Sequence, residues 1–278
     1  MSNLAQPASA RSVAVTGSAS GIGAAAAAAL RAQGVRVIGV DLRDAEVEAD
    51  LSTPHGRDAA VSGVLAHCDG VLDGAVACAG LGGLVHPAPL VVSVNYFGAV
   101  GFLAGLQPAL ARGDQPAAVA ISSNSTTVMP RLPQELIDAC LAGNEALARE
   151  LSQKHEWAVY GASKTALAWW VREQAVREDW AGAGIRLNAV APGRVLTALD
   201  REQRADERLK KAVEGLPIPL GAPAEPSEIG DFVAFLLGPG GRFFCGSVLF
   251  QDGGTDALAR PRDWPIGISG PYPEVLKP

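Results

Sequence analysis

Apolar residues along this chain fall into short unbroken runs that alternate with longer stretches of helical spacing. SVAVTG (12–17) is apolar, β-branched and closed by glycine, the pattern of a buried strand. GIGAAAAAALRAQG (21–34) reads as a helix ended by Gly34, and VRVIGVD (35–41) as a second apolar strand ending in an acid. Strand, glycine-rich turn, helix and strand make a βαβ unit. The alternation continues and predicts helix 56–66, strand 74–78, helix 91–111, strand 117–122, helix 161–178, strand 185–190, helix 226–237 and strand 247–251. Strands that are apolar throughout need helices on both faces. The fold class is therefore α/β, a doubly wound parallel sheet in a single domain spanning 1–278.

Three segments break the rhythm. The stretch 130–157 has apolar spacing for two short helices, 133–141 and 144–154, inserted before the helix at 161. Segment 195–221 is long, charged and bracketed by turn residues; it is placed to act as a mobile lid, or is a solvated surface helix. The tail after Leu258 is rich in proline and glycine and is expected to be irregular.

Composition narrows the function classes. The chain is 48% hydrophobic and 19% charged, with a net charge of −6, which suits a packed soluble protein. No basic run supports nucleic-acid or anionic-membrane binding. No signal-peptide core opens the chain, and no apolar run reaches the roughly 18 residues of a membrane helix, so a cytoplasmic location is expected. Cys68, Cys78, Cys140 and Cys245 are scattered and read as buried thiols of a reducing compartment. His55, His67, His86 and His155 lack metal-ligand spacing and read as surface or incidental residues; no metal is expected.

The candidate chemistry sits at the strand ends. In TGSASGIG (16–23), Gly17, Gly21 and Gly23 allow a tight turn beside a pyrophosphate, with a helix N-terminus behind it. Asp41, ending the second strand, can bond both hydroxyls of an adenosine ribose and repel a 2′-phosphate, which favours NAD over NADP. The same carboxylate could merely cap the 41–46 turn, and Arg43 could serve a phosphate. Tyr160 and Lys164 stand four apart on one helical face. A tyrosine titrates near 10 in water. An ammonium about 4 Å away, at a dielectric of about 20, supplies roughly 4 kcal/mol toward the phenolate. Burial opposes that, and a phenol poised at about 7–8 is expected, able to exchange a proton with an alcohol or a carbonyl. Ser122, Ser123 and Ser125 lie near the end of the strand at 117–122, where ligands bind in such sheets.

TGSASGIG, Asp41, CAG (78–80), Asn95, ISS (121–123), YGASK (160–164) and APGRVLT (191–197) occur in the order of the short-chain dehydrogenase/reductase family, which the chain resembles from about residue 11 to 256. DLRDAEVEADLST (41–53), VVSVNYFGA (91–99), QPAAVAISS (115–123), AEPSEIGDFVAFL (224–236) and the long insert resemble its bacterial 3α-hydroxysteroid dehydrogenase/carbonyl reductase group.

The resemblance implies a Rossmann fold with Tyr160 as acid/base and Lys164 lowering its pKa and binding the nicotinamide ribose. It implies that Ser123 polarises the substrate oxygen and that Asn95 holds a water in a proton relay. It implies NAD contacts from Gly17, Ser20, Gly21, Ile22 and Gly23, from Asp41, Asp50 and Leu51, and from Ala79 and Gly80. Further NAD contacts are implied from Tyr160, Lys164, Pro192, Gly193, Val195 and Thr197, with Asp50 meeting the adenine amine. One departure is ACAG (77–80) where the family has NNAG, which removes a strand-stabilising amide and leaves Cys78 a poor ligand. Leu81, Gly82, Met129 and Trp157 are candidates for the substrate wall.

The implied reaction is NAD(H)-dependent interconversion of a secondary alcohol and a ketone on a 3α-hydroxysteroid or xenobiotic carbonyl. Alternatives are an aromatic alcohol such as coniferyl alcohol, or a nucleotide-binding regulator without turnover. The insert is expected to cover the 91–111 and 161–178 helices and hinder a tetramer, leaving a homodimer through 226–237 and 247–251.

Overall fold

A computed structural model describes residues 11–265 and Gly267. Seven strands form one parallel sheet in the order β3-β2-β1-β4-β5-β6-β7. They are β1 (Ser12–Thr16), β2 (Arg36–Asp41), β3 (Val47–Glu48), β4 (Gly74–Ala77), β5 (Ala117–Ile121), β6 (Arg186–Pro192) and β7 (Val248–Gln251). β4 and β5 are buried at every position, because helices cover both sides of the sheet. Helices α1 (Gly21–Ala32) and α11 (Pro226–Leu237) pack on one face around Val13, Val15, Val119 and Ile229. The other face carries α2 (Pro54–His67), α4 (Ala99–Leu110) and α8 (Val159–Ala175) over Ile38, Ala75, Ala118 and Leu187. The chain direction across the sheet reverses between β1 and β4, and their C-terminal ends open the crevice where such folds bind ligands.

Most predicted elements lie within two or three residues of their observed bounds, and three differences have physical causes. The helix expected at 91–111 begins earlier, as α3 (Ala88–Val92), and passes through a π-helical turn (Ser93–Gly98) into α4. The continuous run Ala88–Leu110 is 23 residues, long and apolar enough to cross a membrane by composition, which corrects the sequence expectation. It is the central core helix of this face instead, with Val91, Val92, Phe102, Leu103, Leu106 and Leu110 fully buried. Segment 195–221 is two helices, α9 (Ala198–Ala205) and α10 (Glu207–Glu214), separated at Asp206, whose extended backbone and capping side chain start the second. A further short helix, α12 (Thr255–Ala259), extends regular structure past Leu258; the tail at 266 and 268–278 lies outside the described residues.

The insert forms α6 (Gln134–Leu141) and α7 (Glu145–Lys154), after a single turn α5 (Ser125–Val128). α6 buries Leu136, Ile137 and Cys140 against α8, while α7 lies on α3 and the π-helical turn. The excursion therefore leaves the sheet and returns without parting β5 from α8.

The alanine run of α1 allows α11 to come very close. A Cβ on Gly230 would stand 2.6 Å from the Ala25 carbonyl carbon. We expect Gly230→Ala to lower stability by about 1–3 kcal/mol through overpacking, read as a shifted urea midpoint with an unchanged slope.

Candidate active site

The turn after β1 is built for a close-approaching anion. Gly17 and Gly21 have φ of 69° and 53°, a region that penalises any Cβ. At Gly23 a Cβ would sit 2.1 Å from the Gly17 carbonyl oxygen, so the turn folds directly onto the helix start. Ser20 is the N-cap of α1 with its side chain unused for capping, and the first turn holds no acid. The amides of Gly21, Ile22 and Gly23 have no intrahelical acceptors and line a cavity of about 900 Å³. A helix N-terminus left free in this way suits a pyrophosphate.

Asp41 also lines the cavity; its Oδ2 accepts from Ala19 N at 3.0 Å and its Oδ1 from Leu42 N at 2.7 Å. One oxygen thus bonds the first amide of the 41–46 turn and the other ties Asp41 to the glycine turn, and each keeps a free lone pair. Arg43 is exposed and lies outside the cavity wall. Asp50, Leu51, Ala79, Gly80, Pro192, Gly193, Val195 and Thr197 join the same wall. Thr197 caps α9 through Asp200 N, and its Cγ2 lies 3.4 Å from where a Gly21 Cβ would be. The residues present fit a dinucleotide along one continuous groove.

Ser123, Tyr160 and Lys164 converge at the far end of this groove. Two hydrogen bonds join β5 to α8 there: Lys164 Nζ donates to Ile121 O at 2.7 Å, and Ser122 Oγ donates to Lys164 O at 3.0 Å. Ser122 is occupied by this tie. Ser123 Oγ accepts from Ser125 N at 3.1 Å, and Ser123 is the serine placed beside the tyrosine. Burial lowers Lys164 from 10.5 to about 8. Burial likewise raises Tyr160, and the neighbouring Ser123 hydroxyl brings it only part of the way back. The expected downward shift of the phenol is corrected: its ammonium neighbour is directed at a carbonyl, and desolvation dominates.

The remaining wall is aliphatic. Leu90, Val94, Val128 and Met129 face Leu199, Leu209, Val213 and Leu216 from the α9–α10 segment. His86, expected to be incidental, lies in this wall with Nε2 3.5 Å from Glu202 on α9. Of the four residues proposed for the substrate wall, Leu81 and Met129 are there. Gly82 packs beneath Gln203, and Trp157 sits half exposed in the turn between α7 and α8.

A family model described as enoyl-(acyl carrier protein) reductase matches residues 146–256. The 3-alpha-hydroxysteroid dehydrogenase/carbonyl reductase of Comamonas testosteroni is 42% identical over 90% of this chain and 98% of its own. The chain belongs to the short-chain dehydrogenase/reductase family. The crystal structure of the 3-alpha-hydroxysteroid dehydrogenase from Pseudomonas sp. B-0831 complexed with NADH superposes with a TM-score of 0.87. It is 48% identical and covers 90% of this chain and 99% of that one. A coniferyl-alcohol dehydrogenase from Pseudomonas sp. strain HR199 is 32% identical over 88% of this chain and 96% of its own.

Two further positions named in the sequence are tied to the groove backbone. Asn95 does not line the cavity: its Oδ1 accepts from Leu81 N at 2.8 Å and its Nδ2 donates to Leu81 O at 3.0 Å. Both ends of the amide thus hold the backbone of Leu81, each with one further hydrogen bond still to make. Where ACAG replaces NNAG, the missing amide is answered by Thr16, whose Oγ1 accepts from both Cys78 N (2.9 Å) and Ala79 N (3.0 Å). Thr16 was not singled out in the sequence, although a buried hydroxyl at a strand end was the available signal. Cys78 lines the cavity with its thiol pushed up to about 12 by burial, and Cys245 is exposed, so the four cysteines are not uniformly buried.

Lys164 gives a testable pH signature. Its folded pKa of about 8 lies below the unfolded value of 10.5, so the fold penalises the charged form. Between these values the unfolded chain binds more protons, and stability rises with pH. We expect the urea stability of the unliganded wild type, minus that of Lys164→Met, to climb between pH 8 and 10.5 and to be level below pH 8. A difference independent of pH would refute the buried-ammonium assignment.

Proposed function

We propose that this protein is an NAD(H)-dependent oxidoreductase that interconverts a secondary alcohol and a ketone on a bulky alicyclic substrate of the 3α-hydroxysteroid type. The carrying observation is that one cavity joins the glycine turn and Asp41 to Ser123, Tyr160 and Lys164 and then continues into an aliphatic chamber. The relatives named for 3α-hydroxysteroid dehydrogenation and the NADH complex support the same reading.

Bound nicotinamide supplies or accepts the hydride. The Tyr160 hydroxyl delivers a proton to the carbonyl oxygen in one direction and removes it from the alcohol in the other. The Ser123 hydroxyl donates a hydrogen bond to the same oxygen and stabilises the charge that develops on it. Lys164, fixed on Ile121 O, holds positive charge behind the phenol and is placed for the ribose hydroxyls. Asp41 offers its spare lone pairs to an adenosine ribose, and among the described residues its neighbours in the wall, Val40, Leu42, Ala49 and Asp50, carry no cation to welcome a 2′-phosphate. Leu90, Leu199, Val213 and Leu216 exclude water around the reacting carbon.

An aromatic-alcohol substrate is the second reading, supported by the coniferyl-alcohol dehydrogenase relative. Among the described residues, only Tyr160 and His86 bring rings to the cavity wall, so there is little for a flat aromatic substrate to stack on. The aliphatic wall favours the alicyclic substrate. A regulator without turnover is disfavoured by the intact convergence of Ser123, Tyr160 and Lys164.

We also assign the protein as a cytoplasmic homodimer. Free thiols at Cys68, Cys78, Cys140 and Cys245 suit a reducing compartment. α11 carries exposed Phe235, with Phe232 stacked on it at 6.0 Å, the loop from α11 to the edge strand β7 carries exposed Phe243, and β7 is only half covered along its length. The insert covers α3 and part of α8, the face a tetramer would use. We expect light scattering to give a dimer and Phe243→Asp to give a monomer; a tetrameric wild type would contradict the assignment.

The reaction is tested by reduction of NAD⁺ with 3α-hydroxysteroids and coniferyl alcohol as substrates. We expect turnover of the steroids and a loss of about 10²- to 10⁴-fold in Tyr160→Phe, the usual contribution of a positioned acid/base. Equal rates in mutant and wild type would refute the enzyme assignment.

A further inference from the structure

The insert is more than a cover. Its second helix reaches into the wall of the nucleotide groove through one arginine. Arg57, in the first turn of α2, donates from Nη2 to Glu145 Oε2 at 2.5 Å and from Nη1 to Glu145 Oε1 at 3.3 Å, a forked pair between α2 and the start of α7. The same Nη1 donates to the carbonyl oxygen of Leu51 at 3.2 Å. Leu51 is buried and lines the cavity beside Asp50 and Asp41.

The surroundings make Arg57 a poor free agent. Its side chain is 11% exposed and that of Glu145 is 21% exposed, so neither charge is well solvated alone. Gly101 admits the arginine stem, because a Cβ there would stand 3.1 Å from Arg57 Cδ. Gly98, in the π-helical turn, lets Leu51 press close, its would-be Cβ 3.2 Å from Leu51 Cβ. Leu51 is thus held from below by packing and from the side by a guanidinium that Glu145 orients.

α7 has a separate anchor. Arg149 Nη1 donates to Ser93 Oγ at 2.7 Å and to Pro89 O at 3.1 Å. Losing the Glu145 contact therefore leaves the helix docked.

We propose that Arg57 and Glu145 are positioning residues for the cofactor, through which the insert braces the adenosine side of the groove. The proposal rests on the dinucleotide reading given above. Without the carboxylate, the arginine charge is unpaired in a poorly solvated place and swings toward water, releasing the Leu51 carbonyl. The loop Ala49–Thr53 then loses its fixed register, and the adenosine end of the groove loosens while the Tyr160 end is untouched. The brace contributes to cofactor affinity and not to the chemical step.

The test uses calorimetric binding of AMP and of NADH to the full chain, with steady-state kinetics alongside. We expect Glu145→Gln and Arg57→Gln each to raise the Kd of AMP and of NADH by about tenfold, near 1.4 kcal/mol. KM for NAD⁺ should rise in parallel while kcat at saturating NAD⁺ moves less than about twofold, the pattern of lost uniform binding. The double variant Arg57→Glu with Glu145→Arg keeps an ion pair but moves the guanidinium off α2, where it bonded Leu51 O. We expect it to regain thermal stability but not affinity. Recovered affinity in the double variant, or unaltered Kd values in the single ones, overturns the brace. A fall in kcat that matches the rise in KM also overturns it, by showing a general structural role. A wild type that binds neither AMP nor NADH overturns the dinucleotide reading itself, and the brace with it.

Discussion

The chemistry of this site depends on the seam between the end of β5 and the start of α8. Lys164 is gripped there twice, its ammonium by the Ile121 carbonyl and its own carbonyl by the Ser122 hydroxyl. Ser123 follows one residue after the strand's side of the seam, and Tyr160 lies one helical turn before the lysine on the same face. Both partners of the proposed proton transfer are therefore located by the same contact. The cost is a desolvated ammonium, expressed as the fall of Lys164 to about 8, and only a charge-assisted bond to a buried carbonyl offsets it. Burial holds the Tyr160 phenol above its ordinary value, and the Ser123 hydroxyl opposes it. Acting as a base requires positive charge to be brought close to the phenol.

Two other features serve that seam at a distance. The 28 residues from Pro130 to Trp157 intervene between its two sides, and a disordered excursion of that length would add closure entropy and blur the register. Folding them into α6 and α7 converts the excursion into packing: α6 closes over α8 and α7 over α3 and the π-helical turn. On the opposite side, Thr16 ties β1 to the 77–80 stretch, so the groove wall keeps its shape without the amide that NNAG would provide.

Much of this was legible in the sequence because it is carried by local pattern. Strands apolar at every position announce two-sided burial, and the glycine turn, YxxxK and the serine pair stand at fixed places relative to those strands. What was not legible is set by tertiary context. Val47–Glu48 is too short to show a period, yet its pairing with β2 adds the seventh strand. The division of 195–221 depends on the backbone at Asp206, which composition does not reveal. That the Asn95 amide bonds the backbone of Leu81 at both ends is likewise set by tertiary contact. For Tyr160, burial was weighed against the ammonium and given too little weight, because the carbonyl toward which the ammonium is directed does not show in the sequence.

The same contrast between buried and exposed contacts runs along the α9–α10 segment that walls the aliphatic chamber. At the base of the α9–α10 segment, Asp200 is buried and accepts from Arg194 Nε at 2.8 Å, with Arg204 Nε at 3.3 Å. Removing one partner from a buried pair of this kind costs about 3–5 kcal/mol, so the base does not part readily. At the tip, Arg208 reaches the Leu84 carbonyl and His86 faces Glu202, and these contacts are open to solvent and screened by it. Thr197 adds a further tie at the base, capping α9 while touching the glycine turn. The segment is therefore held more firmly at its start, beside the nucleotide groove, than where it meets Leu84 and His86.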